Sequence, residues 1–229
     1  MKRLVALALV TLALGTGAFG GDVATLVNLG FSPDSAYFMF GFYGLDPSSG
    51  KPYAKIFLVD TKKNDFTSDG EFEAAYPAGL EPGQDAAGAF YKLFSTAVSA
   101  ASRRKIDHLA QGRLIYLSLN GDDSDTLSFK DYATKDQWDV VLREVVDTAA
   151  DGSVVSSFGL DVSVKKASGA SVSMKAGNPQ IRRKNVSDYA IRWIVLAPDG
   201  KTVVVLVERT EKLGSGTGLR YMVETFRLP

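Results

Sequence analysis

The chain has 229 residues, 26 of them basic and 26 acidic, with no Cys and a single His. Without Cys there is no disulfide framework, thiolate nucleophile, zinc ribbon or iron–sulfur site, and one His cannot build a multi-histidine metal centre. The balanced charge excludes a strongly basic nucleic-acid binder, and a hydrophobic content of 45% excludes a disordered chain.

Residues 1–20 read as a secretory signal peptide. Lys2 and Arg3 form the charged start, residues 4–14 are apolar apart from Thr11, and Ala18-Phe19-Gly20 offers small residues at the two positions a signal peptidase reads. The apolar core is about half the roughly 20 residues a membrane-spanning helix needs. No Cys stands at the cleavage point to take a lipid anchor. Cleavage removes two of the basic residues, so the mature chain is faintly acidic. Residues 21–229 are expected to form a single mainly-β domain, periplasmic or secreted, with enough chain to bury a core unaided.

In chain order, residues 23–29 read as a strand and Ser32-Pro33-Asp34-Ser35 as a turn. Residues 37–43 put Phe38, Phe40 and Phe42 on one face and Tyr37, Met39 and Tyr43 on the other, the pattern of a central strand buried from both sides. A turn-rich loop over residues 46–50 leads to a strand over 53–59 and a polar turn over 60–64. Residues 84–111 are expected to form one long packed helix. Phe90, Leu93, Phe94, Ala97, Val98 and Ala101 supply its apolar face, Pro82 and Asp85 suit its start, and Gly112 its stop. Strands follow over 114–119 and 126–129; residues 138–146 read as a strand or a short helix, the strand favoured because the text is Val-rich and an Ala-Ala-Asp-Gly turn follows; then comes a hairpin over 154–164 and 170–174. The C-terminal part repeats the opening plan: strand 192–196, turn 197–201, strand 202–207 apolar on both faces, Gly-rich loop 212–218, strand 219–228. An internal repeat of residues 26–63 and 190–228 follows from aligning Pro33-Asp34 on Pro198-Asp199.

The phrases Phe31-Ser32-Pro33-Asp34-Ser35-x-x-Phe38, Ile56-Phe57-Leu58-Val59-Asp60 and Ala197-Pro198-Asp199-Gly200-Lys201 resemble the repeat of TolB-type β-propellers. Over most of its length the chain also resembles a family of predicted secreted bacterial proteins of unknown function. Gly30 to Asp34, Tyr43-Gly44, Pro52-Tyr53-Ala54 and Asp188-Tyr189-Ala190-Ile191 carry that likeness. Together the resemblances imply antiparallel propeller-like or sandwich-like sheets with one packed helix, an exported location, and no assigned activity.

The chemistry-bearing residues are sparse. His108 lies towards the end of the expected helix beside Asp107, where a cationic ring suits the dipole. Asn120 to Asp125 fail the calcium-loop pattern, and Gly214 to Gly218 precede a strand where a phosphate loop needs a helix. Glu71 with Glu73, and Asp122 with Asp125, are paired carboxylates, and Arg182-Arg183-Lys184 is a short basic run read as a solvated loop. The candidate binding residues are Tyr43, Asp46 and Tyr53, which flank a loop at the end of the central strand. No catalytic set, metal site or cofactor is expected. The expected function is a non-enzymatic envelope protein that binds another envelope protein or a small ligand through sheet edges or loops. The alternative is a carboxylate-dependent hydrolase of an envelope polymer.

Overall fold

The computed structural model describes residues 22–46, 49–77, 79–80, 84–119, 124–213 and 216–229. The signal segment, Pro82, residues 120–123 of the acidic turn and residues 214–215 of the Gly-rich stretch lie outside them.

Among the described residues, curled antiparallel sheets and one helix stack in four layers. The first sheet is a meander of β2 (Thr25–Phe31), β3 (Tyr37–Leu45), β4 (Pro52–Asp60) and β5 (Asp65–Ala75), in that order. The second runs from β1 (Asp22–Val23) through β14 (Gly216–Arg227), β13 (Thr202–Leu213) and β12 (Val186–Leu196) to β6 (Arg113–Leu117). The third runs from β10 (Ser171–Ala176) through β9 (Val154–Lys165) and β8 (Gln137–Thr148) to β7 (Thr126–Lys130), with β11 (Arg183–Lys184) also on β9. Helix α1 spans Ala87–Arg103.

Side-chain alternation assigns the layers. On β3, Phe38, Phe40 and Phe42 pack against Val204 and Leu206 of β13, whereas Met39 joins Ile56 and Leu58 under α1. On β13, Val203, Val205 and Val207 point the other way, onto Trp138, Leu160 and Val164 of the third sheet. The second sheet is therefore the middle layer, with a core on each face. The two strands read as apolar on both faces, β3 and β13, are those sandwiched between layers.

Strand β12 holds contact with both cores by shifting its phase. Tyr189 and Ile191 face the third sheet, and so do Ile194 and Leu196. The odd-to-even change falls at a register shift between Ile191 and Trp193, where Arg192 is the extra residue of a bulge.

The helix is shorter than its expected 84–111. The N–H of Ala87 donates to Asp85 Oδ1 at 2.7 Å, so Asp85 serves the start as expected. The end comes at Arg103. Lys105 adopts a left-handed backbone (φ 53°), its N–H donates to Ser102 O at 3.0 Å, and the Ile106 N–H donates to Ala101 O at 3.0 Å. This pair of bonds closes the helix with Lys where Gly is usual. Val98, expected on the apolar face, is 44% exposed, while Phe90, Leu93, Ala97 and Ala101 are buried. Each buried Phe or Leu contributes about 1.5–3 kcal/mol. The small Ala residues let the helix approach β4.

The residues after the helix turn back along β2. Asp107 N–H donates to Phe31 O and Phe31 N–H to Ala110 O, both at 2.9 Å, and the side chains of Asn28 and Gln111 each bond the other's backbone carbonyl. This loop covers the edge strand against foreign pairing. Gly30 permits it: φ is +98°, and a Cβ there would collide with the Asp107 carbonyl.

Other boundaries also move. The strand expected over 23–29 is two. β1 pairs in parallel with β14, and after Ala24 the chain crosses to the first sheet as β2. Strand β5, absent from the expected elements, lines the edge of the first sheet. The basic run at 182–184, expected as a solvated loop, includes β11, whose Arg183 lies 5.1 Å over the Phe158 ring. The Gly-rich loop expected over 212–218 is mostly hairpin, since Leu213 pairs with Gly216.

Candidate functional site

The three sequence-derived binding residues do not converge. Tyr43 pairs with Ala54 and Gly44 with Tyr53, so the two tyrosines are one register step apart and point to opposite faces. Tyr43 packs on Phe90 of α1, with ring centroids 5.5 Å apart. It lines an apolar pocket of about 340 Å³ together with Val27, Leu29 and Phe94. Tyr53 faces the second sheet. Its hydroxyl donates to Asp22 Oδ2 at 2.7 Å, and the Arg220 guanidinium lies 4.4 Å over its ring. Arg220 also pairs with Asp22 at 2.8 Å, both side chains 7% exposed. Burial, with the Asp22 bond, pushes the Tyr53 hydroxyl far above its usual range. Asp46 holds its own loop by accepting from the Ser49 N–H and hydroxyl, each at 2.8 Å. Asp46 and Tyr53 line a shallow pocket of about 370 Å³ with Lys55, Glu73 and Arg220.

That pocket shares Lys55 and Glu73 with a larger groove of about 690 Å³. One wall of the groove is the β4–β5 hairpin, where Phe57 and Phe66 stack at 4.9 Å and Glu71 and Glu73 stand beside them. Asn178, Ile181 and Arg183 form the other wall, and β14 from Tyr221 to Glu224 lies between. The pairing of Phe57 with Glu71 and Lys55 with Glu73 sets both carboxylates on the groove face of β5. Lys55 neutralises Glu73 at 2.7 Å. Glu71 makes no ion pair or side-chain hydrogen bond among the described residues.

Three titratable groups of the groove are withdrawn from solvent, Glu224 and Tyr221 buried and Arg209 partly so. Glu224 is 5% exposed, and loss of solvent raises its carboxyl above the usual range although Asn64 Nδ2 donates to it at 2.5 Å. Burial lowers the Arg209 guanidinium, whose Nη2 pairs with Glu211 at 2.6 Å and whose Nε is without a partner among the described residues. Burial also raises Tyr221, to about 12. The groove thus offers aromatic surface, charges of both signs and one free carboxylate.

The other chemical candidates take structural roles. His108 lies beyond the helix end, not in its last turn. Its Nδ1 donates to Leu29 O at 2.6 Å, and its ring meets Phe94 edge-on at 5.1 Å, pinning the returning loop. The described part of the acidic turn at 124–125 belongs to no group of three metal-ligating residues. The sequence did single out Glu71 and Glu73 as a pair. It had no signal for Glu224 or Arg209, single charged residues in no motif.

Among the described residues no helix is long and apolar enough to cross a membrane. No curated protein matches the chain. Residues 39–227, from the central strand of the first sheet to the last residue of β14, match the family described as predicted secreted protein (DUF2259), whose function is unknown. With well over half its length matched, the chain belongs to this family of predicted secreted proteins.

Proposed function

We propose that the protein is an exported, non-enzymatic binding protein whose ligand site is the groove between the β4–β5 hairpin and β14. The observation that carries the reading is the groove itself. Its volume of about 690 Å³ falls within the range of ligand pockets, and it combines stacked Phe57 and Phe66 with an unpaired Glu71. Asp46 and Tyr53 extend the site at one end, and Tyr43 is not part of it. The partner is an envelope protein or a small ligand. The two meanders, β2–β4 and β12–β14, are read as copies of one unit, as in TolB-type repeats. In support, Asp34 accepts from the Ala36 N–H at 3.1 Å and Asp199 from the Lys201 N–H at 2.9 Å, the same turn bond in each.

A photo-crosslinking residue at position 66, on the groove rim, tests this in whole cells, with position 132, exposed between β7 and β8 and not among the groove's lining residues, as control. A partner recovered above the control at position 66 is expected. Equal recovery from both positions, or none, overturns the reading.

A second reading, a carboxylate-dependent hydrolase of an envelope polymer, is favoured by one observation. Glu224, raised by burial, lines one cleft with Glu71 and Glu73, and paired carboxylates are what such enzymes use. Release of soluble fragments from purified cell-wall polymer, lost in Glu224→Gln, would support it. No release by the wild-type protein removes it.

A further inference from the structure

We infer that the groove takes an extended peptide segment of a partner protein, which adds as a strand to the open edge of β14. This rests on the groove being the binding site.

Strand β14 is paired along its whole length with β13 on one side. On the other side β1 covers only Gly218 and Leu219. The odd-numbered residues turn their backbone groups to this second side. Leu219 O accepts there from the Ala24 N–H at 3.3 Å, and the Thr225 N–H donates there to Asn64 Oδ1 at 2.6 Å. Between those two bonds, the backbone edge at Tyr221 and Val223 opens into the groove, and among the described residues no strand pairs with it. At about 3.4 Å per residue, the window from Leu219 to Thr225 spans some 20 Å, room for about five residues of extended chain.

Both ends of the window already display the pairing that a guest strand would continue. At one end it is a short parallel strand. At the other it is the Asn64 carboxamide, which presents its oxygen to a backbone N–H as a peptide group does. The edge is also recessed between the β5 wall and the 178–183 wall, so it is closed to the sheet edge of another folded domain and open to a single chain.

The walls state the guest's chemistry. Successive side chains of an added strand point to opposite walls. Those facing β5 meet the aromatic pair Phe57–Phe66 and the unpaired Glu71, which calls for an apolar residue and a Lys or Arg two positions apart. Those facing the other wall meet Ile181 and Arg183, which suit apolar or acidic residues.

An immobilised array of nine-residue peptides of random sequence, probed with the full mature chain, tests the inference. The expected binders show period-two alternation with a basic residue on one face. Methylating the backbone nitrogens that face β14 in the best binder should weaken it about tenfold, and methylating the alternate nitrogens should not. Glu71→Lys should weaken basic binders several-fold and strengthen acidic ones. A blank array, binders without alternation, or indifference to methylation position would overturn the peptide. If crosslinking at position 66 succeeds while the array fails, the groove binds something other than extended chain. If both fail, the groove is not the site.

Discussion

The backbone N–H of Asp199 donates to the hydroxyl of Ser35 at 3.2 Å, joining two turns that lie 164 residues apart in the chain. Ser35 belongs to the turn between β2 and β3, and Asp199 to the turn between β12 and β13. The bond fixes how the first sheet sits on the middle one. Ser35 is 1% exposed, has φ 56°, and its carbonyl accepts from Thr61 Oγ1 at 2.8 Å. Ser35→Ala should cost about 1 kcal/mol and lower the thermal midpoint by roughly 2–4 °C. Ser35→Gly, which relieves the left-handed backbone, should lose less. Paired melting curves compare them.

Lys105 closes the helix in a conformation that glycine adopts without strain. Lys105→Gly should stabilise the protein by about 0.5–1 kcal/mol, because the side chain is exposed and makes no bond that holds the turn. Urea unfolding at neutral pH measures it. A loss of stability would mean that the lysine itself supports the loop.

Gly30→Ala should act in the opposite direction. The added methyl group meets the Asp107 carbonyl, and the backbone there lies at φ +98°. A loss of about 2 kcal/mol or more is expected. Hydrogen exchange should quicken at Phe31 and Asp107, whose amides hold the loop on β2, before it quickens in β13.

Asp131 is 1% exposed and takes two bonds from Arg113, at 2.5 and 2.8 Å, and one from Thr134 at 2.8 Å. The Arg113 guanidinium, helped by the Thr134 hydroxyl and the Ala133 N–H, holds its carboxyl well below the usual range. A depressed folded value stabilises fully above the unfolded value of about 3.9 and is lost as pH falls towards the folded one. Asp131→Asn should therefore cost about 2–3 kcal/mol at pH 7. The gap from wild type should narrow steadily below pH 4 in denaturant titrations.

Glu224 behaves in the reverse sense. Its carboxyl is raised by burial, so the folded state holds its proton more tightly and stability falls as pH rises through the carboxylate range. Glu224→Gln should have a higher urea midpoint than wild type at pH 7 and little advantage at pH 4. An unchanged midpoint at both values would show that the carboxylate is well solvated.

Much of the layering is legible in residue order, because a strand sandwiched between layers must be apolar on both faces, and the texts of β3 and β13 are. Trp138, Val140 and Leu142 alternate and form β8 as read. Strand β5 escaped because its text is that of an edge: Asp65, Glu71 and Glu73 are exposed and Asp69 pairs with Arg103 and Arg104, with only Phe66, Phe72 and Ala74 to mark it. The helix was overrun because the sequence offers Gly112 as a stop, and nothing local announces that Lys105 will take the left-handed turn. The candidate site fared worse. Tyr43 and Tyr53 flank one loop, but a single register step puts them on opposite sides of the sheet. The groove draws on the β4–β5 hairpin, the 178–183 segment and β14, so only the Glu71–Glu73 alternation was visible before the fold joined them.

The bulge at Arg192 works as a counting device. Ahead of it the odd residues of β12 serve the core shared with the third sheet, and after it the even ones do. Deleting this one partly exposed residue would restore unbroken alternation and leave Trp193 and Val195 on one core and Ile194 and Leu196 on the other. Drawing Arg192 into the ladder would do the damage: Trp193 and Val195 would exchange cores with Ile194 and Leu196, so two hydrophobic interiors stay in phase because one residue is left out of the alternation.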